Sequence, residues 1–208
     1  MDPERLQAWL VGFSRRHGAA VCVPGPDQVV LTAADGSTAQ CQVPFPPLVV
    51  DPADPFGGLV AHALALRRVG VLLFRLGGHA TGVFDGTALV SSKVGTRPVH
   101  GRSSAGGWSQ QRFARRRQGQ VAVATAAAAD TAAALLLPWL GRLDAVVLGG
   151  DRGAVAAVMG DPRLRQLVPL VAEPFLDVPD PRQRVLEQAP PLFRSVRIRL
   201  TETGVAGT

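Results

Sequence analysis

Near the start of the chain Leu6, Trp9, Leu10 and Phe13 recur at helical spacing behind Asp2 and Pro3, so the pattern predicts a helix from Pro3 to about Gly18. Three short apolar-polar alternations follow at 19–23, 28–32 and 39–43. They predict strands, with Asp35-Gly36 as the hairpin turn between the last two. The Pro-rich stretch 44–55 reads as a connector, and Asp54-Pro55 repeats the capping logic for a helix to about Arg68, stopped by Gly70. From there the period changes. Strands are expected at 71–76, 80–84 and 87–96, with Asp85-Gly86 as a turn. After a Gly- and Ser-rich piece, a long helix is expected from about Ser109 to Leu137, ended by Pro138. An apolar run at 144–148, then Gly149-Gly150 and a helix capped by Asp151, gives the strand-turn-helix order of an α/β layer. A strand at 170–178, a short helix capped by Asp180-Pro181 and a strand at 193–200 closing the sheet complete the pattern, with Val196, Ile198 and Leu200 alternating with Arg197 and Arg199. The fold class is therefore α/β, with a boundary near Val50 between a small N-terminal α+β extension (1–50) and the main domain (51–208).

Composition narrows the class. With 208 residues, 47% hydrophobic and 18% charged, the chain can bury a sizeable core, which excludes global disorder. Its 23 glycines and 17 prolines imply many turns but show no repeat period. Cys22 and Cys41 are too few for a disulfide framework, and the start Met1-Asp2-Pro3-Glu4 lacks the layout of a signal peptide, so a reducing cytoplasm is the expected address. The apolar stretch 121–140 imitates a membrane span. It is rich in alanine and carries Asp130, whose carboxylate in mid-bilayer would cost roughly 2.5 to 3.5 kcal/mol, so a buried helix and no membrane partner are expected.

The charge is concentrated. Residues 86–129 contain Lys93, Arg97, Arg102, Arg112, Arg115, Arg116 and Arg117 and no acid, while the whole chain carries +6, so everything outside that window sums to −1. Seven uncompensated positives in one segment favour a polyanionic partner, nucleic acid above all. A helix starting near Ser109 places Arg112, Arg115 and Arg116 on one face as a phosphate rail. Trp108 is suited to stacking on an exposed base, and Gly106 and Gly107 permit close backbone approach. The plain alternative is a hairpin tip with Trp108 folded back on the core.

Other motifs fail on spacing or context. Gly149-Gly150-Asp151-Arg152-Gly153 lacks the dinucleotide glycine spacing and puts a carboxylate where pyrophosphate would lie; it reads as a helix cap. In the stretch 77–82 the glycines have phosphate-loop spacing, but Val83 replaces the lysine. His17, His62, His79 and His100 show no metal spacing and read as core or surface histidines; no metal or cofactor is expected. His100 near Ser103 and Ser104 has no acid to orient it. Asp85, Asp144 and Asp151 are the only carboxylates a metal-dependent nuclease could use.

Gly107-Trp108-Ser109-Gln110, a Gly-x-x-Gln stretch between paired strands and an arginine-rich helix, resembles the Vms-like release factor family, most closely its actinobacterial branch. The resemblance covers about Asp51 to Leu200. It implies a mixed sheet with flanking helices like the middle domain of eukaryotic-type class I release factor, whose loop carries Gly-Gly-Gln. It further implies a peptidyl-tRNA hydrolase of ribosome rescue and quality control, working as a monomer on the large ribosomal subunit, with ribosomal RNA and peptidyl-tRNA as partners. Here Gly106-Gly107 stands two residues from Gln110 and Gln111 follows directly, so the resemblance leaves both glutamines open as the catalytic one. Gly119-Gln120 mimics the end of the release-factor motif but falls inside the expected helix. A non-catalytic ribosome- or RNA-binding module using the same arginines is the alternative.

Overall fold

The computed structural model describes residues 1–96 and 109–203, the side chains of 109–116 excepted. The chain runs through α1 (Pro3–His17), β1 (Ala20–Pro24), β2 (Gln28–Ala33), β3 (Thr38–Gln42), α2 (Leu59–Leu64), β4 (Arg68–Arg75), β5 (Gly78–Asp85) and β6 (Ala88–Thr96). It continues through α3 (Ser109–Leu136), β7 (Ala145–Gly150), α4 (Arg152–Met159), β8 (Val171–Leu176), α5 (Gln183–Glu187), α6 (Pro190–Arg194) and β9 (Ile198–Thr201). Two 3-10 segments, Leu137–Arg142 and Pro162–Leu170, join α3 to β7 and α4 to β8. The result is a mixed α/β protein with two sheets flanked by helices.

Two compact units share this chain: residues Met1–Ala65 with Pro191–Thr208, and Leu66–Pro190. The first is built on an antiparallel sheet ordered β1-β2-β3-β9. Leu6, Leu10 and Phe13 line the inner face of α1 and meet Val29, Leu31, Ala39 and Cys41 from the sheet, Leu59 and Ala63 from α2, and Val196. The expected boundary at Val50 therefore moves to Ala65, because α2 packs with the first unit. The final strand is the second correction. It does not close the main sheet but pairs antiparallel with β3, from Thr38↔Thr201 to Cys41↔Ile198. Its alternation is also weaker than expected, since only Val196 is buried and Leu200 is exposed.

The second unit is a five-stranded mixed sheet ordered β6-β5-β4-β7-β8. β4, β5 and β6 form an antiparallel meander, whereas β7 runs parallel to β4 and β8 parallel to β7. Helix α3 crosses one face. Its Ala124, Ala128, Ala132 and Leu136 recur every fourth residue and are buried with Leu72, Phe74, Val83 and Val146, a stripe narrow enough for small side chains to bring helix and sheet close. The stretch Arg117–Arg142 is long and apolar enough to cross a bilayer. Yet this stripe lies in the core of the unit, and outward-facing Asp130 pairs with Arg163 at 2.8 Å.

Gly149-Gly150 ends β7 rather than forming a turn after it. A side chain at Gly149 would run into Leu176, and Gly150, at φ +107°, lies against the Phe74 carbonyl, so both positions need glycine to let strands and backbone approach. Asp151 caps α4 as expected, its carboxylate accepting from the Ala154 N–H at 2.7 Å.

Candidate functional site

The arginine-rich segment is anchored at one end of the second unit's sheet. Register places Thr96 opposite Gly78, Gly78 opposite Arg75, and Phe74 opposite Gly150. β6 therefore delivers the chain into that segment at the edge where parallel strands β4 and β7 end. Ligand sites of α/β sheets form at such edges, because the loops beyond the strand ends converge there. The chain returns as α3. Arg117 lines a groove with Leu76, in the turn just past β4, so the eight residues before it carry the helix about 12 Å past the sheet.

Gln110 and Gln111 lie in the first described turn of α3, within the stretch the sequence predicts as helical. Arg112, Arg115 and Arg116 follow on the same projecting turns. The first-turn N–H groups of an α-helix have no acceptor within the helix and sit at the positive end of its dipole. Lys93, in β6 opposite Thr81, is exposed, and so is Arg117. Arg97, Arg102, Gly106, Gly107 and Trp108 lie outside the described residues, as do His100, Ser103 and Ser104.

Sequence reasoning missed a polar floor beneath this region. On β5, His79 is only 5% exposed, and its Nε2 lies 3.0 Å from the hydroxyl of Thr131, itself 5% exposed, on α3. The imidazole occupies the space that any side chain at Gly95 would need. Thr81, two residues along β5 on the same face, is fully buried, and its hydroxyl has no partner among the described residues. Above this floor a groove of about 750 Å³ runs between β6 and α3, with Lys93, Thr96, Gly119, Gln120 and Val123 along its sides. Gly119-Gln120 is inside the helix, as expected, yet Gln120 faces this groove. The signal available in sequence was a histidine within the strand pattern, which reads equally as core.

The carboxylates a nuclease would need do not converge. Asp144 precedes β7 and accepts from the Arg68 N–H at 2.6 Å, Asp85 pairs with Arg68 at 2.6 Å, and Asp151 stands beyond the opposite end of β7 capping α4. Among the described residues no three His, Cys, Asp or Glu side chains gather as a metal site.

The model of the Actinobacteria/chloroflexi VLRF1 release factor family matches residues 67–199, well over half of the chain, and spans the Gly107–Gln110 stretch. The chain belongs to that family. Membership makes it a release-factor-like protein. No curated protein matches the sequence. Among solved structures, the archaeal translation termination factor aRF1 aligns at 16% identity and TM-score 0.39, over 76% of this chain and 47% of that one. The chain thus spans about half the length of that factor. The Vms1 mitochondrial localization core aligns at 8% identity and TM-score 0.44, over 82% of this chain and 76% of that one. A further archaeal protein aligns at 15% identity and TM-score 0.39, covering 76% and 48%.

Proposed function

We propose that this family member is a peptidyl-tRNA hydrolase that frees the nascent chain at the large ribosomal subunit during rescue, acting as a cytoplasmic monomer without a cofactor. What supports the reading is the family match across 67–199, together with a glutamine pair in the first turn of a helix that projects from an acid-free, arginine-rich segment.

The reaction is ester hydrolysis. Water oxygen bonds to the carbonyl carbon joining peptide to tRNA, the bond from that carbon to the terminal ribose oxygen breaks, and the leaving ribose hydroxyl takes a proton as the carboxylic acid departs. Gln110 positions that water. An amide has no useful basicity at neutral pH, so proton transfer falls to the RNA substrate. First-turn N–H groups of α3 add donors for the oxyanion, where fixed dipoles act most strongly. Gly106 and Gly107 give the segment a slender profile for an RNA-walled cavity. Lys93, Arg97, Arg102, Arg112, Arg115, Arg116 and Arg117 neutralise phosphates, and Trp108 stacks on a base.

The test is single-turnover release of labelled peptide from peptidyl-tRNA on isolated large subunits, on whole ribosomes and free in solution. Gln110→Ala should abolish release while leaving subunit binding within about twofold. Full release by both Gln110→Ala and Gln111→Ala would remove the catalytic assignment and leave an RNA-binding module.

A further inference from the structure

The groove over His79 has the makings of a second site, separate from the glutamine pair. Its floor is built rather than incidental: two polar side chains, each 5% exposed, meet at 3.0 Å, and a glycine is needed at position 95 so that the imidazole can lie against β6. The Gln120 amide offers an in-plane donor and acceptor. Val123 and Ala127 of α3 supply an apolar wall, and Lys93 stands at the side as a cation. A hydrogen-bonding edge, an apolar flank and one positive charge suit a heterocyclic base with one phosphate, and about 750 Å³ lies within the usual range of small-ligand sites. The groove is also open at its surface, so a chain can enter and leave it. Its β6 wall runs directly into the acid-free arginine-rich segment, which favours a nucleotide still attached to its polymer over a free one.

We infer that this groove binds a single unstacked nucleotide of RNA, its phosphate on Lys93 and its base held edge-on by Gln120 against Val123, above the His79–Thr131 floor. The site would grip RNA beside the point where Gln110 acts, and it needs neither glutamine of the first turn.

Gly119 provides a clean test. It lines the groove, a Cβ there meets nothing within 4 Å, and it is an exposed helical position, so Gly119→Leu fills the groove while improving helix propensity and raising Tm. The full chain, isotope-labelled, is titrated with oligouridylate of five residues, with uridine monophosphate and with adenosine monophosphate, and affinities are read by anisotropy on the labelled pentanucleotide. Expected are shifts at His79, Gly95, Gly119 and Gln120 with the pentanucleotide, and at least tenfold weaker binding in Gly119→Leu. Gln120→Ala should weaken it several-fold, and Gln110→Ala should bind as the parent does even where it has lost release. Parental affinity in a folded Gly119→Leu, or shifts confined to the arginine-rich segment, would overturn the site. Groove shifts with the monophosphates alone would overturn the assignment to RNA.

Discussion

Cys41 and Gly95 show how far one residue's surroundings determine its behaviour. Burial pushes the Cys41 thiol up to about 12, with Cys22 nearby adding a smaller push, and burial raises Cys22 less. A raised thiol favours the native state below the ordinary thiol range near pH 8.5, and that contribution drains away as pH climbs toward 12. Alkylation at pH 8 followed by mass spectrometry should therefore modify Cys22 first and Cys41 only after unfolding; equal rates in the native protein would contradict the burial. Gly95 lies under an imidazole, so Gly95→Ala forces the His79 ring off its bed. A loss of about 1–3 kcal/mol in urea unfolding is expected, as for other insertions into packed space.

Among the elements, α4 and the 3-10 segment after it depend on their first residues. Asp151→Ala removes the acceptor for the Ala154 N–H and should cost about 1 kcal/mol by the same urea measurement. Asp161 is held down to about 2, chiefly by hydrogen bonds from the Arg163 side chain and backbone N–H. A depressed carboxyl contributes fully above its unfolded pKa near 3.9 and loses that contribution as pH falls through about 2. Acid unfolding of Asp161→Asn should accordingly show a shallower stability slope between pH 4 and 2 than the parent, and identical slopes would discount the interaction. Elements of this kind were legible where the signal is local: Asp35-Gly36 and Asp85-Gly86 turn where they should, and Asp151 caps α4. Local signals misled at Asp54-Pro55. There the Asp54 carboxylate accepts from the N–H groups of Phe56 and Gly58, at 2.7 and 3.0 Å, folding the chain into turns that delay α2 until Leu59. Gly70 misled as a helix stop because it lies inside β4, where Leu136 and Leu143 fill the space a side chain would need. The partner of β9 was invisible because alternation specifies which face is buried, not which strand is adjacent. Motif and charge single out the glutamines without the structure, whereas the His79 groove required knowing that β6 and α3 stand side by side.

For the whole molecule, the separation of charge from a near-neutral remainder predicts how binding responds to salt. Affinity for large subunits should fall steeply as salt rises, and replacing Arg115, Arg116 and Arg117 together with alanine should reduce the slope of log affinity against log salt by about 2–3. An unchanged slope would mean that these three side chains touch no phosphate. The return of the chain to its first unit has a consequence of another kind. While the protein is being synthesised, Leu66–Pro190 can emerge and fold before β9 exists, leaving the edge of β3 waiting for a strand more than 150 residues downstream. The unit started first is thus finished last, and a nascent copy arrested before Ile198 would display an open sheet edge, a mark by which chaperones or proteases can tell an unfinished chain from a finished one.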